Sequence, residues 1–300
     1  MRSVSVAPVR SKAVVVTGAS SGLGKAAAIY LTGLGYRVFA GVRTESSATE
    51  LHGVPPAKGE LIPVRLDVTD AASIAQAGEL IEDRCRGTGL WALVNNAGIA
   101  ISSPLECVPL DLMRTQLETN VVGAVAVSQR LLPLLRTSRG RIVNVSSGLG
   151  NVAPPYLGAY AAAQFAKEGL SDALRRELRP LGVSVSVIQP GAIPTSIWRK
   201  MRQSADEILA SAPAEVVTAY RGRFIESLTT SEGLVRKSKT TADDYADAVA
   251  TALAARHPKT RYRVGLDSRG SALARRVVPD RMMDALITFG RKAFTEMDQW

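Results

Sequence analysis

The feature that most restricts what this 300-residue chain can fold into is its regular alternation of short apolar runs with longer stretches of helical period. Residues 13–17 form a nearly unbroken apolar run, as expected of a strand buried on both faces. Residues 21–31 read as a helix ending near Gly33 and Gly35, and 37–40 as the next strand. Residues 61–66 are a third strand, 71–84 a helix and 90–95 a fourth strand. A long helix follows across 110–136, with Pro133 near its end, then a fifth strand at 142–145, a helix at 160–178 and a sixth strand at 183–188. Such alternation means βαβ units, and it predicts an α/β fold with a doubly wound parallel sheet in three layers. After Pro190-Gly191 the pattern loosens. Residues 197–235 read as one or more helices with long connections, 242–255 as a clear helix, 261–266 as a last strand and 271–300 as a helical tail. The expected organisation is a single domain over 12–270 carrying a helical substrate lid at about 196–240, preceded by a basic arm at 1–11 and followed by the tail at 271–300.

Composition narrows the classes further. With 46% hydrophobic and 21% charged residues and no low-complexity stretch, the chain can bury a large core. No run of eighteen apolar residues occurs, so no membrane span is expected, and residues 1–12 lack an apolar run of signal-peptide length. Two cysteines, Cys85 and Cys107, are too few for a disulfide framework and form no Cys-x-x-Cys pair; a reducing, cytoplasmic setting is the simplest reading. The net charge of +10 is spread along the chain. Its densest stretch, 256–276, has Asp267 as its only acid. That excess reads as a solvated surface that also favours a negatively charged dinucleotide. No zinc finger or recognition helix points to nucleic acid, and His52 and His257 fit no metal or hydrolase pattern.

The chemistry starts at Thr17-Gly18-Ala19-Ser20-Ser21-Gly22-Leu23-Gly24, which ends the first strand and opens the first helix. That is the context a dinucleotide-binding turn requires. Gly18 allows the tight turn, Gly22 lets the backbone approach a pyrophosphate, and Gly24 lets helix and strand pack closely. The helix start then offers free N–H groups and a positive dipole end to the phosphates. A Walker phosphate loop is excluded, because five residues separate Gly18 from Gly24 and Ala26 stands where a magnesium-binding hydroxyl would be. The chain is thus expected to bind a nicotinamide dinucleotide on a Rossmann-type fold. At the end of the second strand there is no acid before Glu45 to hold a ribose 2′-hydroxyl; Arg43 lies there instead, and a guanidinium matches a 2′-phosphate. NADP(H) is favoured, with NAD(H) as the alternative.

The spacing Gly-x-x-x-Gly-x-Gly resembles that of the short-chain dehydrogenase/reductase family, and the resemblance covers roughly residues 12–265. It continues through Asn95-Asn96-Ala97-Gly98 after strand four, Asn120 within Thr119-Asn120-Val121-Val122-Gly123, and Asn144-Val145-Ser146-Ser147 after strand five. Tyr160 follows Ser147 by thirteen residues, and Pro190-Gly191-Ala192-Ile193-Pro194-Thr195 closes strand six. Within the family the chain looks like the 17β-hydroxysteroid and retinol dehydrogenase branch. The resemblance implies hydride transfer between nicotinamide and a carbonyl or alcohol, with Tyr160 as acid/base, Ser147 on the substrate oxygen and Asn120 in the proton relay. It also implies cofactor contacts from the glycine turn (Gly18, Ser20, Ser21, Gly22, Leu23, Gly24). Further along the chain come Asp67 and Val68 at the adenine, Asn96, Ala97 and Gly98, and Tyr160. Pro190, Gly191, Ile193 and Thr195 complete them, with Thr195 reaching the carboxamide. No metal is implied. Structural alternatives exist for each: Asp67 as a helix cap, Ser147 as a turn cap, Asn120 as a structural hydrogen bonder.

One position departs from the family. Where a lysine would follow Tyr160 by four residues, the chain has Gln164. An amide can hold ribose hydroxyls but supplies no positive field. An ammonium about 4 Å from a phenolate contributes about 4 kcal/mol at an effective dielectric near 20, or roughly three pKa units. Without it, Tyr160 is expected near its reference pKa, which favours reduction of a carbonyl over oxidation of an alcohol at neutral pH. Lys167, seven residues on and about 10.5 Å along the helix, is expected to be a surface lysine and not a substitute. The expected activity is NADP(H)-dependent reduction of an apolar steroid-, retinoid- or lipid-like carbonyl by a cytoplasmic homodimer or homotetramer. The competing reading is a non-catalytic nucleotide-binding sensor or partner subunit.

Overall fold

A computed structural model describes residues 12–54 and 58–287. Its elements in chain order are β1 (Ala13–Val16), α1 (Gly22–Gly33), β2 (Arg37–Val42), α2 (Glu45–His52), β3 (Glu60–Arg65), α3 (Ala71–Arg84), β4 (Ala92–Asn95), α4 (Leu110–Leu117), α5 (Gly123–Ser138), β5 (Arg141–Val145), α6 (Gly158–Leu178), β6 (Ser184–Pro190), α7 (Ser196–Ser211), α8 (Ala214–Lys237), α9 (Ala242–Ala254), β7 (Arg261–Val264) and α10 (Leu266–Val277). The seven strands lie in the order β3-β2-β1-β4-β5-β6-β7, every pair parallel. The chain winds outward from β1 through β2 to β3 and returns to β4 on the other side of β1. Connections therefore diverge between β1 and β4, leaving a crevice beyond the carboxyl ends of the strands, where such sheets bind ligands.

Alternation along β1 shows why the sheet is buried on both sides. Val14 and Val16 join the core formed with α1 and α9, whereas Ala13 and Val15 join the core formed with α3 and α5. Polar side chains within these layers hydrogen-bond to one another, while Asn95 Oδ1 and Arg141 Nε have no partner among the described residues. Asn95 on β4 donates to Asn144 on β5 and to Ser128 on α5, both at 2.9 Å, and Asn144 donates to Ser171 on α6 at 2.8 Å. At the opposite end of β5, buried Arg141 donates to the carbonyls of Ala252 and Ala255, capping α9, and lies 4.5 Å over the Trp91 ring.

Several elements differ from the sequence expectation. Helix α2 lacks apolar periodicity because Leu51 is its only buried residue; it is started instead by the Thr44 hydroxyl, which accepts the Ser47 N–H. The stretch expected as one helix at 110–136 is interrupted by a π segment, Glu118–Val122, around buried Asn120, and ends at Ser138. The last strand stops at Val264, because Gly265 turns the chain at φ 96° and α10 begins directly after it, five residues before the expected tail. The basic arm at 1–11 and the tail beyond 287 lie outside the described residues.

The expected lid region forms α7 and α8. Its apolar face packs on the segment after β4 and the start of α6, not on the sheet. Ile208 clusters with Ile101, Cys107 and Ala159, while Phe224 packs with Ala205 and Leu228 and meets the Tyr156 ring tilted by 55°, with centroids 5.2 Å apart. Among the described residues no helix is long and apolar enough to cross a membrane.

Candidate active site

The glycine turn is built as its three glycines require. Gly18 and Gly22 both adopt left-handed φ, 66° and 55°, where a side chain would be strained. A Cβ on Gly18 would come 2.8 Å from the Cα of Ala97, and one on Gly24 would collide with the Gly18 carbonyl and the Asn96 amide. Thr17 and Asn96 lock the two strand ends together: the Thr17 hydroxyl accepts the N–H groups of Asn96 and Ala97, and the Asn96 amide donates to the carbonyls of Thr17 and Gly18. Behind them, the buried Tyr245 hydroxyl donates to Asn96 Oδ1 at 3.0 Å. Ser21 caps α1 with backbone only, and no acid occupies the first turn, so the leading N–H groups stay available to an anion.

Across the crevice stands the loop after β6. Thr195 faces Gly22 closely enough that a Cβ there would sit 3.4 Å from the threonine Cβ. Ile193 is buried, and its carbonyl accepts the Trp198 indole N–H at 2.9 Å. This loop is held from behind by α10, a connection that sequence reasoning missed. Asp267 accepts the Ala192 N–H, Ser268 donates to the Gln189 carbonyl, and Ser271 donates to the Gly148 carbonyl beside Ser147.

On the β4–β5 side, Tyr160 enters from the first turn of α6 and Ser147 from the end of β5. Burial raises the Tyr160 phenol above its usual value, and hydrogen bonds from Ser147 and Gln164 pull it back only in part. Sequence reasoning placed it near the reference value; burial takes it higher. The Ser147 hydroxyl also accepts the Leu149 N–H at 3.2 Å, so it serves a turn as well. Gln164 is buried, and its Oε1 has no partner among the described residues. The Asn120 side chain engages the backbone of Ile99, accepting its N–H at 2.9 Å and donating to its carbonyl at 3.0 Å. Nearby Gln116 does the same for Ile101 and Ile99, a support the sequence did not reveal.

At the adenosine end, Arg43 is exposed just past β2. Burial pushes the Asp67 carboxyl up, but hydrogen bonds from Thr69 and the charge of Arg43 outweigh it and hold Asp67 below its ordinary range. Asp67 does not cap the following helix; Asp70 does, accepting the Ala72 N–H at 2.9 Å. Val68 is buried beneath it against Gly123. Lys167 is not on the surface: it is buried, and its Nζ donates to the Val145 carbonyl at 3.0 Å. No group of His, Cys, Asp or Glu among the described residues could hold a metal.

Residues 12–206 match the model of the short chain dehydrogenase family. The chain is 42% identical over 289 residues to 3-amino-tetrahydro-pyrrolizinone reductase of Xenorhabdus hominickii, covering 96% of this chain and 94% of that protein. It is 38% identical to human retinol dehydrogenase 16, covering 93% and 88%. A short-chain dehydrogenase of Burkholderia cenocepacia in complex with NADP superposes with a TM-score of 0.68 at 26% identity, covering 90% and 94%. One from Burkholderia phymatum in complex with NAD superposes at 0.73 and 24% identity, covering 88% and 91%. With its glycine turn, its Ser147–Tyr160 pair and these relatives in accord, the chain belongs to the short-chain dehydrogenase/reductase family, oxidoreductases that act on CH–OH and C=O groups with a nicotinamide dinucleotide.

Proposed function

We propose that this protein is an NADP(H)-dependent reductase of an apolar ketone or aldehyde, biased toward reduction by Gln164. The observation that carries this reading is the state of Tyr160: half-buried at the start of α6, with a phenol that burial raises above its usual pKa and that Ser147 and Gln164 pull back only in part. A phenol in that state keeps its proton at neutral pH and can give it to a carbonyl oxygen as hydride arrives. The dinucleotide, when bound, supplies that hydride. The chain's own residues do the rest. The leading N–H groups of α1 hold the pyrophosphate, Arg43 holds a 2′-phosphate and Asp67 with Val68 borders the adenine. Asn96, Ala97 and Gly98 floor the crevice, and Pro190, Gly191, Ile193 and Thr195 wall its nicotinamide end. Ser20, Ser21 and Leu23 complete the phosphate turn.

Ser147 orients the substrate oxygen toward Tyr160. Because the Asn120 side chain is engaged with Ile99, its part in a proton relay falls to its backbone within the π segment, an irregularity common at functional sites. Helices α7 and α8 close over the crevice mouth, and their buried Met201, Ile208 and Phe224 favour a steroid-, retinoid- or lipid-like substrate. Exposed Leu266, Leu273 and Val277 on α10 support packing between subunits in a cytoplasmic homodimer or homotetramer.

Titrating NADPH and NADH by fluorescence and assaying a panel of apolar ketones, with Gln164→Lys alongside, tests the proposal. Turnover that prefers NADPH and rises in the variant supports it. Tight cofactor binding without turnover in either protein replaces it with a nucleotide-binding sensor or partner subunit, the reading that Gln164 by itself favours.

A further inference from the structure

Lys167 is a buried ammonium that the reaction scheme above does not use. Its side chain is 3% exposed, and its one hydrogen-bonded partner among the described residues is the Val145 carbonyl, two residues before Ser147. Two ammonium protons are thus left over in the interior, where polar groups are almost always paired. Gln164 lies one turn earlier on the same helix, and its equally buried Oε1 is an acceptor with no partner. Positions three apart share a helix face, and helical side chains lean toward the N-terminus. Tyr160, Gln164 and Lys167 therefore lie along one face of α6, with the lysine head on the Val145 carbonyl. A water between the spare donors and the spare acceptor would satisfy both.

We propose that Lys167 is the cation of this active site, a positioning residue that acts on Tyr160 through Gln164 from one helical turn below the place where the family keeps its lysine. The inference rests on the reading of Tyr160 as the proton donor. It corrects the expectation that Lys167 is a solvated surface group.

No other charge competes for the role. β6 and the turn at Gly148–Gly150 carry none. On α4, exposed Asp111 and Arg114 pair with each other, while Glu118 and Arg179 are exposed. Arg141 is at the far end of β5 capping α9, and on α6 itself Glu168 and Asp172 hold Arg261. Burial by itself pushes Lys167 down to about 8. A phenolate forming nearby favours the charged lysine, so the two proton affinities are linked.

The test compares wild type with Lys167→Met in both directions across pH, with Tyr160→Phe as the control. The expected result is that oxidation at neutral pH falls about tenfold, the size expected of one charge about 10.5 Å along the helix at an effective dielectric near 20, and that the two profiles converge at alkaline pH, where Lys167 is itself neutral. The cofactor KM should stay within about twofold, and Gln164→Lys in the Lys167→Met background should restore the profile. A Lys167→Met profile that superimposes on wild type overturns the inference. Full turnover by Tyr160→Phe would instead overturn the proposed function. If Lys167→Met does not fold, an NMR titration of ε-13C-lysine in wild type and Tyr160→Phe decides. A Lys167 midpoint that moves when the phenol hydroxyl is removed supports the link, and an unmoved midpoint overturns it.

Discussion

Asp267, at the start of α10, accepts the backbone N–H of Ala192 at 2.6 Å, and its carboxylate fills the space that a side chain on Gly191 would need. The loop after β6 is therefore held by a residue 75 positions downstream. This loop borders the nicotinamide end of the proposed crevice, so loosening it should weaken cofactor binding before it affects the fold. Asp267 is exposed, which limits the bond to about 1 kcal/mol. Asp267→Ala is expected to raise the cofactor Kd about fivefold with little change in melting temperature, read by fluorescence titration and thermal denaturation. An unchanged Kd would show that the loop holds its shape without α10.

Arg43 is placed to decide between the two dinucleotides. It stands exposed beyond β2, close enough to Asp67 to lower that carboxyl. A charge-assisted contact with a 2′-phosphate contributes about 1.5–3 kcal/mol. Arg43→Ala should weaken NADPH binding roughly tenfold to a hundredfold and leave NADH within about twofold. Equal losses for both cofactors would assign Arg43 to the general fold of the loop.

The raised phenol of Tyr160 has a directional consequence in pH. Oxidation of an alcohol requires the phenolate, whose fraction grows tenfold per unit below its pKa; reduction requires the phenol, which is fully present at neutrality. Oxidation should therefore climb steadily from pH 7 to pH 10, while reduction stays flat over the same range. Gln164→Lys should lift oxidation at pH 7 by at least about tenfold, from the field of a nearby ammonium. Comparable efficiency of both directions at pH 7 in the wild type would contradict this account of the site.

How much of this was legible beforehand depends on what each residue answers to. β1 could be read because both of its faces are covered and all four of its residues are buried, and the glycine turn because its positive φ angles and close contacts tolerate no side chain. Helix α2 could not, since only Leu51 is buried and its polar sequence carries no period. Tyr160, Ser147 and Gln164 were assigned by resemblance to the family's motifs, yet the partners around them were hidden. Asp267 and Ser268 reach the site through the last crossover, and Gln116 supports it through backbone atoms that leave no trace in a pattern of side chains. Lys167 was misread because charge signals solvent by default, whereas the carbonyl that accepts it belongs to Val145 at the end of β5, outside its own helix.

That buried lysine also sets a stability signature. In the unfolded chain Lys167 titrates near its ordinary value of about 10.4, while burial lowers it to about 8 in the fold. Between those values the unfolded state binds more protons than the folded one, so this residue makes stability rise with pH across that window. Below about pH 8 both states are protonated, the slope vanishes, and the full penalty of burying the ammonium is present. The difference corresponds to about 3 kcal/mol at most. Buried Cys85, raised to about 11, and the raised Tyr36, Tyr160 and Tyr245 act in the opposite sense at the upper end, so the comparison must be made against a variant. Lys167→Met removes the ammonium and keeps much of its volume. It should be more stable than wild type at pH 7 by about 1–3 kcal/mol, and the gap should close as pH rises from 8 to 10.5. Urea denaturation of both proteins across that range measures it. A gap that stays constant with pH, or a variant less stable at pH 7, would mean that Lys167 is not held in the interior as a strained charge.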